Sequence, residues 1–198
     1  MKADMADHDP REEPMATEIQ HYTPTAKWLH WIMAVLIVLL LVLGFYLSGL
    51  PRGPEKTTLI QVHKAIGTIV LALAIVRLVW RLKHPAPLLP ASITALQQKA
   101  THAVHWALYA LMFAQPLSGW AMSSARGFPV ALGGIIPLPA LAMKNEALGK
   151  TLTQVHEFIG WALAVVVIGH VAMALKHHFV DRDGILLRMW PRYGTGTD

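Results

Sequence analysis

The chain has 198 residues, 54% of them hydrophobic and only 15% charged, with a mean hydropathy of +0.42. Soluble domains run nearer about 45–50% apolar and about 25% charged, so this composition excludes an ordinary water-soluble globule. Zero cysteines exclude a disulfide scaffold, an iron–sulfur cluster and a thiolate metal site, while 11 histidines stand out.

In chain order, residues 1–20 read as a disordered polar tail, rich in acid (Asp4, Asp7, Asp9, Glu12, Glu13). They do not read as a cleaved signal, because the apolar run that follows is too long for a signal core. Four apolar runs come next, at 28–49, 59–82, 100–122 and 158–175. A helix rises about 1.5 Å per residue and the hydrocarbon core is about 30 Å thick, so about 20 residues cross it. Lys64, Arg77 and Arg81 lie towards the ends of the second run, where long basic side chains snorkel to the headgroups. Between the third and fourth runs, residues 123–155 form the longest loop, where Gly133-Gly134, Pro137 and Pro139 interrupt any helix. The expected architecture is an all-α integral membrane four-helix bundle over residues 21–192, with residues 193–198 a flexible C-terminal tail.

Basic residues assign the topology. If both termini share a side, that side holds Lys2, Arg11, Lys27, Arg77, Arg81, Lys83, Lys99, Lys176, Arg182, Arg188 and Arg192. The opposite side holds Arg52, Lys56, Lys64, Arg126, Lys144 and Lys150. Eleven against six out of 17 places both termini in the cytoplasm. With the basic residues flanking membrane runs, no nucleic-acid partner is expected.

Seven histidines fall within or at the edge of these runs: His30, His63, His102, His105, His156, His170 and His177. An ionisable group inside a membrane is costly and marks a ligand, an ion path or a proton relay. His156 and His170 are 14 residues apart. At about 100° per residue they leave one face of a helix, roughly 21 Å apart along its axis. Each needs a partner at its own depth, which pairs His63 with His156 outside and His30 with His170 inside. Two facing His–His pairs stacked through a bundle suit two six-coordinate haems. Zinc fits worse, because no Asp, Glu or Cys lies near these depths and Glu157 sits at the interface. His105 is the alternative ligand for the inner haem. His8 and His21 lie in the tail, where no metal site is read.

Residues 21–192 resemble the bacterial cytochrome b561 family, which is related to the cytochrome b subunits of nickel–iron hydrogenases. The carrying motifs are His21-Tyr22-Thr23, Leu29-His30-Trp31, Gln61-Val62-His63-Lys64 with Gly67, and Arg77-Leu-Val-Trp80-Arg81-Leu-Lys-His84-Pro85. Gly119-Trp120-Ala-Met-Ser-Ser124, His156-Glu157, Gly169-His170 and Lys176-His177-His178 complete the match. The resemblance implies a four-helix protein with two haem b groups, ligated by one His on helix one, one on helix two and two on helix four. Residue by residue these are His30, His63, His156 and His170, the set that spacing alone selects.

Basic groups beside the haems have a physical task, since a propionate near hydrocarbon needs a hydrogen-bonded cation. Arg77, Arg81 and Lys83 are placed for the inner haem, Lys64 and Arg126 for the outer one. A quinone reduced at the membrane edge needs polar, titratable groups, and His177 with Lys83 forms the expected site, with ubiquinone the acceptor. Some members of the resembling family oxidise superoxide and reduce ubiquinone, and Lys64, Arg126, Lys144 and Lys150 form an outer cluster suited to a small anionic donor. The expected activity is therefore transmembrane electron transfer from the periplasmic face to the quinone pool, as a superoxide:ubiquinone oxidoreductase. Two alternatives stand beside it: a haem-anchoring subunit docked on a larger dehydrogenase or hydrogenase, or a haem-free transporter or ion path. A homo-oligomer is compatible with either haem reading.

Overall fold

The computed structural model describes residues 21–90 and 93–191; the expected tails at 1–20 and 193–198 lie outside the described residues. Four long helices carry the architecture: α1 (Pro24–Gly49), α2 (Pro54–Lys83), α3 (Ala95–Ala125) and α4 (Glu146–Lys176). A β-hairpin, β1 (Val130–Leu132) and β2 (Ile136–Leu138), joins α3 to α4. A five-residue π-turn (His177–Asp181) follows α4 and leads into the short α5 (Ile185–Met189). Three of these helical segments, α1, α2 and 146–181, are long and apolar enough to cross a membrane. α3 matches them in length, but His102, His105, Gln115 and Ser118 make it more polar.

Local chemistry explains the helix ends. Thr23 caps α1 by accepting the Ala26 N–H at 3.3 Å, and Pro24 stands where a missing N–H costs nothing. Thr94 and Gln97 form a reciprocal capping box on α3, and Asn145 caps α4 through the Leu148 N–H at 3.0 Å. Charges follow the helix dipole: Glu55 and Glu146 sit in first turns, Arg81, Lys83 and Lys176 in last turns. The Asn145 cap starts α4 twelve residues before the apolar run at 158, so His156 lies ten residues inside the helix and not at its head. The loop read as 123–155 shrinks accordingly to 126–145.

The bundle is two close pairs, α1 with α2 and α3 with α4, joined where α2 meets α3. Small residues let α3 and α4 approach: Gly149 faces Arg126 of the α3 end, and Gly160 faces Gln115. α4 stands off from α1 and α2 and reaches them mainly through side chains, as where Phe45 meets Trp161 with ring centres 4.5 Å apart. At mid-depth, Met33, Ile37, Val70, Ala74, Met112 and Leu163 form one buried apolar layer. Leu163 is seven residues from both His156 and His170, so this layer separates two histidine levels. Outward-facing Val35, Val42, Phe158, Val165 and Ile168 are more than half exposed, a surface that water would penalise and lipid accepts.

The hairpin closes one end of the bundle. Gly133 and Gly134 have φ of 59° and 79°, the left-handed pair that a tight hairpin turn demands. Thr68, buried in α2, holds this turn: its hydroxyl oxygen accepts the Gly133 N–H at 3.0 Å and lies 3.2 Å from the Ala131 carbonyl. At the other end, Trp31 donates its indole N–H to the Met189 carbonyl at 2.9 Å, and Arg188 donates to the Leu88 carbonyl at 2.7 Å. These bonds strap α5 across the helix ends. Thr68→Val keeps the shape but leaves the Gly133 N–H unpaired, a cost of about 1–3 kcal/mol. The expected result is a lower melting temperature by circular dichroism in detergent, with faster amide exchange in the hairpin. Unchanged exchange at Gly133 would show that the hairpin is anchored elsewhere.

Candidate functional site

At the hairpin end, α2 supplies His63 and α4 supplies His156, with ring centres 6.3 Å apart and planes at 79°. They line a small, mainly apolar cleft with Ile37, Gly67, Gln115 and Pro116. His156 Nδ1 lies 3.1 Å from the Gln115 carbonyl and 3.0 Å from Ser118 Oγ. A carbonyl can only accept, so Nδ1 carries the proton and Nε2 keeps its lone pair. The Gln115 amide donates to that Nε2 at 3.2 Å. Opposite, His63 Nδ1 is buried without a hydrogen-bond partner. Such an orphan costs about 1–3 kcal/mol and is the kind of group a metal bond satisfies. Glycines give the rings room: a Cβ at Gly119 would lie 2.9 Å from His156 Cε1, and one at Gly44 would lie 3.4 Å from His63 Cε1.

At the strap end three rings meet. His30 of α1 lies 6.2 Å from His170 of α4, and His105 of α3 lies 5.5 Å from the same ring. Arg77 of α2 donates to His30 Nδ1 at 3.2 Å and to the Ala26 carbonyl at 3.3 Å. Guanidinium has no acceptor, so here too a donor from a neighbouring helix occupies an imidazole lone pair.

The remaining expected residues are less gathered. Lys64 donates to the Pro129 carbonyl, Arg126 to Thr153 Oγ1 at 2.6 Å, and the Lys144 stem packs over Gly127. Lys150 pairs with Glu146 at 3.5 Å on the exposed surface, so its charge is partly answered. Arg81 is half-buried and His102 exposed near the strap end, and His21 is exposed before α1; His8 lies outside the described residues. Lys83 is exposed at the last residue of α2 and makes no polar contact with His177. His177 sits on the π-turn, bonded to Asp183 at 2.6 Å. Gln115, Ser118, Thr68, Asp181 and Asp183 escaped the sequence reading. The first two lie near Pro116 in an otherwise ordinary apolar helix, and no spacing rule marks them.

Two metal–imidazole bonds of about 2 Å, plus about 1 Å from each nitrogen to its ring centre, set ring centres about 6 Å apart across an iron. The 6.3 Å and 6.2 Å pairs match that span, and His105 at 5.5 Å falls short of it. Gly67 adds open space, since a Cβ there would meet nothing within 4 Å. The donor set and the stand-off of α4 therefore fit haem, and the class they define is a membrane cytochrome.

A family model for prokaryotic cytochrome b561 matches residues 21–192. The chain is 30% identical over 177 residues to cytochrome b561 homolog 2 of Escherichia coli (strain K12), covering 86% of this chain and 91% of that one. It is 30% identical over 178 residues to cytochrome b561 homolog 1 of the same organism, covering 88% and 99%. It is also 29% identical over 165 residues to the probable superoxide oxidase CybB of Yersinia pestis, covering 83% and 92%. The chain belongs to the prokaryotic cytochrome b561 family, a family of haem-carrying membrane electron-transfer proteins. Membership implies b-type haem and sets aside the haem-free ion path.

Gly119→Ala forces the His156 ring to move, because a 2.9 Å contact is not sustainable. The expected outcome is lower haem content by pyridine haemochrome and a shifted α band. Gly49→Ala, where a Cβ meets nothing within 4 Å, serves as the neutral comparison. Equal haem in both variants would show that the Gly119 space is not needed.

Proposed function

We propose that this chain moves electrons through two b-type haems, stacked across a four-helix transmembrane bundle, from the periplasmic face to the quinone pool. One observation carries the reading: α4 presents His156 and His170 at two depths, each about one iron-spanning distance from an imidazole on another helix. His63 and His156 would hold the outer haem, and His30 and His170 the inner one. When bound, the haems supply one-electron carriers on either side of the apolar layer at Leu163. Arg77 and Lys64 answer the propionates, since each is a cation held beside its histidine level. Both termini face the cytoplasm of a bacterial inner membrane, supported by the 11-to-6 basic asymmetry, and α3 crosses with the other three helices.

The electron donor is superoxide, a reading supported by the name of the Yersinia relative and by the basic outer face. Lys64, Arg126 and Lys144 raise the local concentration of a small anion there. Two superoxide ions lose one electron each and leave as dioxygen. Ubiquinone takes those two electrons and two protons to become the quinol. His177 hydrogen-bonds one quinone oxygen and passes a proton, and Lys83, exposed at the end of α2, reaches the other.

Single replacements test the ligands. His63→Ala or His156→Ala removes mainly the outer haem, and His30→Ala or His170→Ala mainly the inner, so haem per chain falls from about two towards one. Loss of haem in His105→Ala with both retained in His170→Ala would overturn the inner pairing. A second test reduces purified His177→Ala and mixes it with a soluble ubiquinone analogue in stopped flow. Haem content stays unchanged while reoxidation slows by about tenfold or more, the usual scale of a positioned acid–base group. Wild-type reoxidation in that variant would place the quinone elsewhere.

A further inference from the structure

Beyond α4 the chain does something unusual. The helix widens into the π-turn His177–Asp181, Arg182 takes φ of 52°, and Gly184 follows at 74°. A π-turn and a left-handed non-glycine residue are both costly, and such costs persist where surrounding contacts hold them. Here the bend folds the acidic residues after α4 back onto its last turn. Asp183 Oδ2 comes to 2.6 Å from His177 Nδ1, and Asp183 Oδ1 accepts the Ile185 N–H at 3.1 Å. The His177 and Asp183 side chains are only 13% and 10% exposed. Asp181 Oδ2 also lies 3.2 Å from Nδ1, but Lys176 clasps that carboxylate at 2.6 Å and 2.8 Å.

We infer that Asp183 is the positioning residue of the quinone end: it accepts the Nδ1 proton of His177 and so turns Nε2 to the reacting side. The inference rests on the quinone reading of His177 given above. A neutral imidazole carries one N–H, and a carboxylate at 2.6 Å assigns it to Nδ1. Nε2 is then the nitrogen that takes a proton from water. The resulting cation faces Asp183 on one side and donates Nε2–H to a quinone oxygen on the other. As the quinone accepts an electron, that proton passes from Nε2 to the oxygen, and the ring returns to its neutral Nδ1–H form. A second electron, with a second proton delivered to the other oxygen on the side assigned to Lys83, completes the quinol. The three side chains lie within 4.8 Å of one another, a spacing a divalent ion accepts. The Lys176 ammonium already sits on Asp181, which favours proton handling over metal binding.

Asp183→Asn discriminates sharply. The Ile185 N–H still claims the side-chain oxygen, so the amide nitrogen faces His177 and donates to Nδ1. That forces the ring proton onto Nε2, and handing it over would leave an imidazolate. The experiment uses the haem-loaded protein with 15N-labelled histidine, the His177 signal being identified by its loss in His177→Ala. The expected result is an Nδ1–H tautomer in the wild type and in Asp181→Asn, and Nε2–H in Asp183→Asn. With haem content equal, reoxidation by a soluble ubiquinone analogue slows by about tenfold or more in Asp183→Asn, as for loss of a positioned acid–base group. Asp183→Glu, which restores a carboxylate, recovers part of that rate.

An Nε2–H tautomer in the wild type overturns the inference without any variant, whether or not Asp183→Asn folds. An unchanged tautomer, or wild-type reoxidation, in Asp183→Asn alongside a slow His177→Ala overturns it while leaving the quinone reading intact. A switched tautomer with wild-type reoxidation in both variants instead removes the quinone from His177, and the inference falls with that reading.

Discussion

An imidazole inside hydrocarbon must be paired or it destabilises the helix that carries it, and α4 carries two of them on one face. That demand organises the bundle. α1 and α2 each bring one histidine to the matching depth, and α4 keeps its backbone away from both to leave space between the rings. α3 makes the opposite bargain, lying close along α4 through Gly149 and Gly160. Its polar groups Gln115 and Ser118 then fix which nitrogen of His156 is available. The apolar layer of Met33, Val70, Met112 and Leu163 keeps the two levels apart, so each can have its own environment.

The two levels share a device. At each, an N–H from a helix other than the histidine's own points at an imidazole lone pair: Gln115 at His156, Arg77 at His30. The chain supplies positive hydrogen where a metal would supply positive charge. Such donors keep the lone pair satisfied and the ring oriented, and a metal that took that lone pair would have to displace the donor. Arg77 differs from Gln115 in carrying a full charge, so at the strap end a cation bonds an imidazole directly.

Both ends are closed by polar hooks from aromatic and hydroxyl side chains. Trp31 donates its indole N–H to the α5 carbonyl of Met189 and Trp120 to the loop carbonyl of Pro139, Trp80 donates to Thr23 Oγ1, and Thr68 holds the hairpin turn. Tryptophans at a membrane interface need no further explanation. Here their N–H groups also hold the segments that cover the histidine levels, linking membrane placement to the shape of the site.

Period and composition were enough to read the helices, because a 20-residue apolar run has few ways to satisfy its backbone in lipid. The 14-residue interval between His156 and His170 was legible for the same reason, since a regular helix converts sequence distance into depth and direction. The boundaries were less so: α4 begins at Glu146 because Asn145 caps it, and a cap outweighs the polarity of residues 146–157. Three partners were beyond reach. That Gln115 meets His156, that Arg77 meets His30 and that Asp183 meets His177 depends on how helices rotate against one another and on a π-turn that folds the chain back. Periodicity specifies which residues share a face of one helix. Which atom of another segment comes within 3 Å of that face is set by packing among all of them at once.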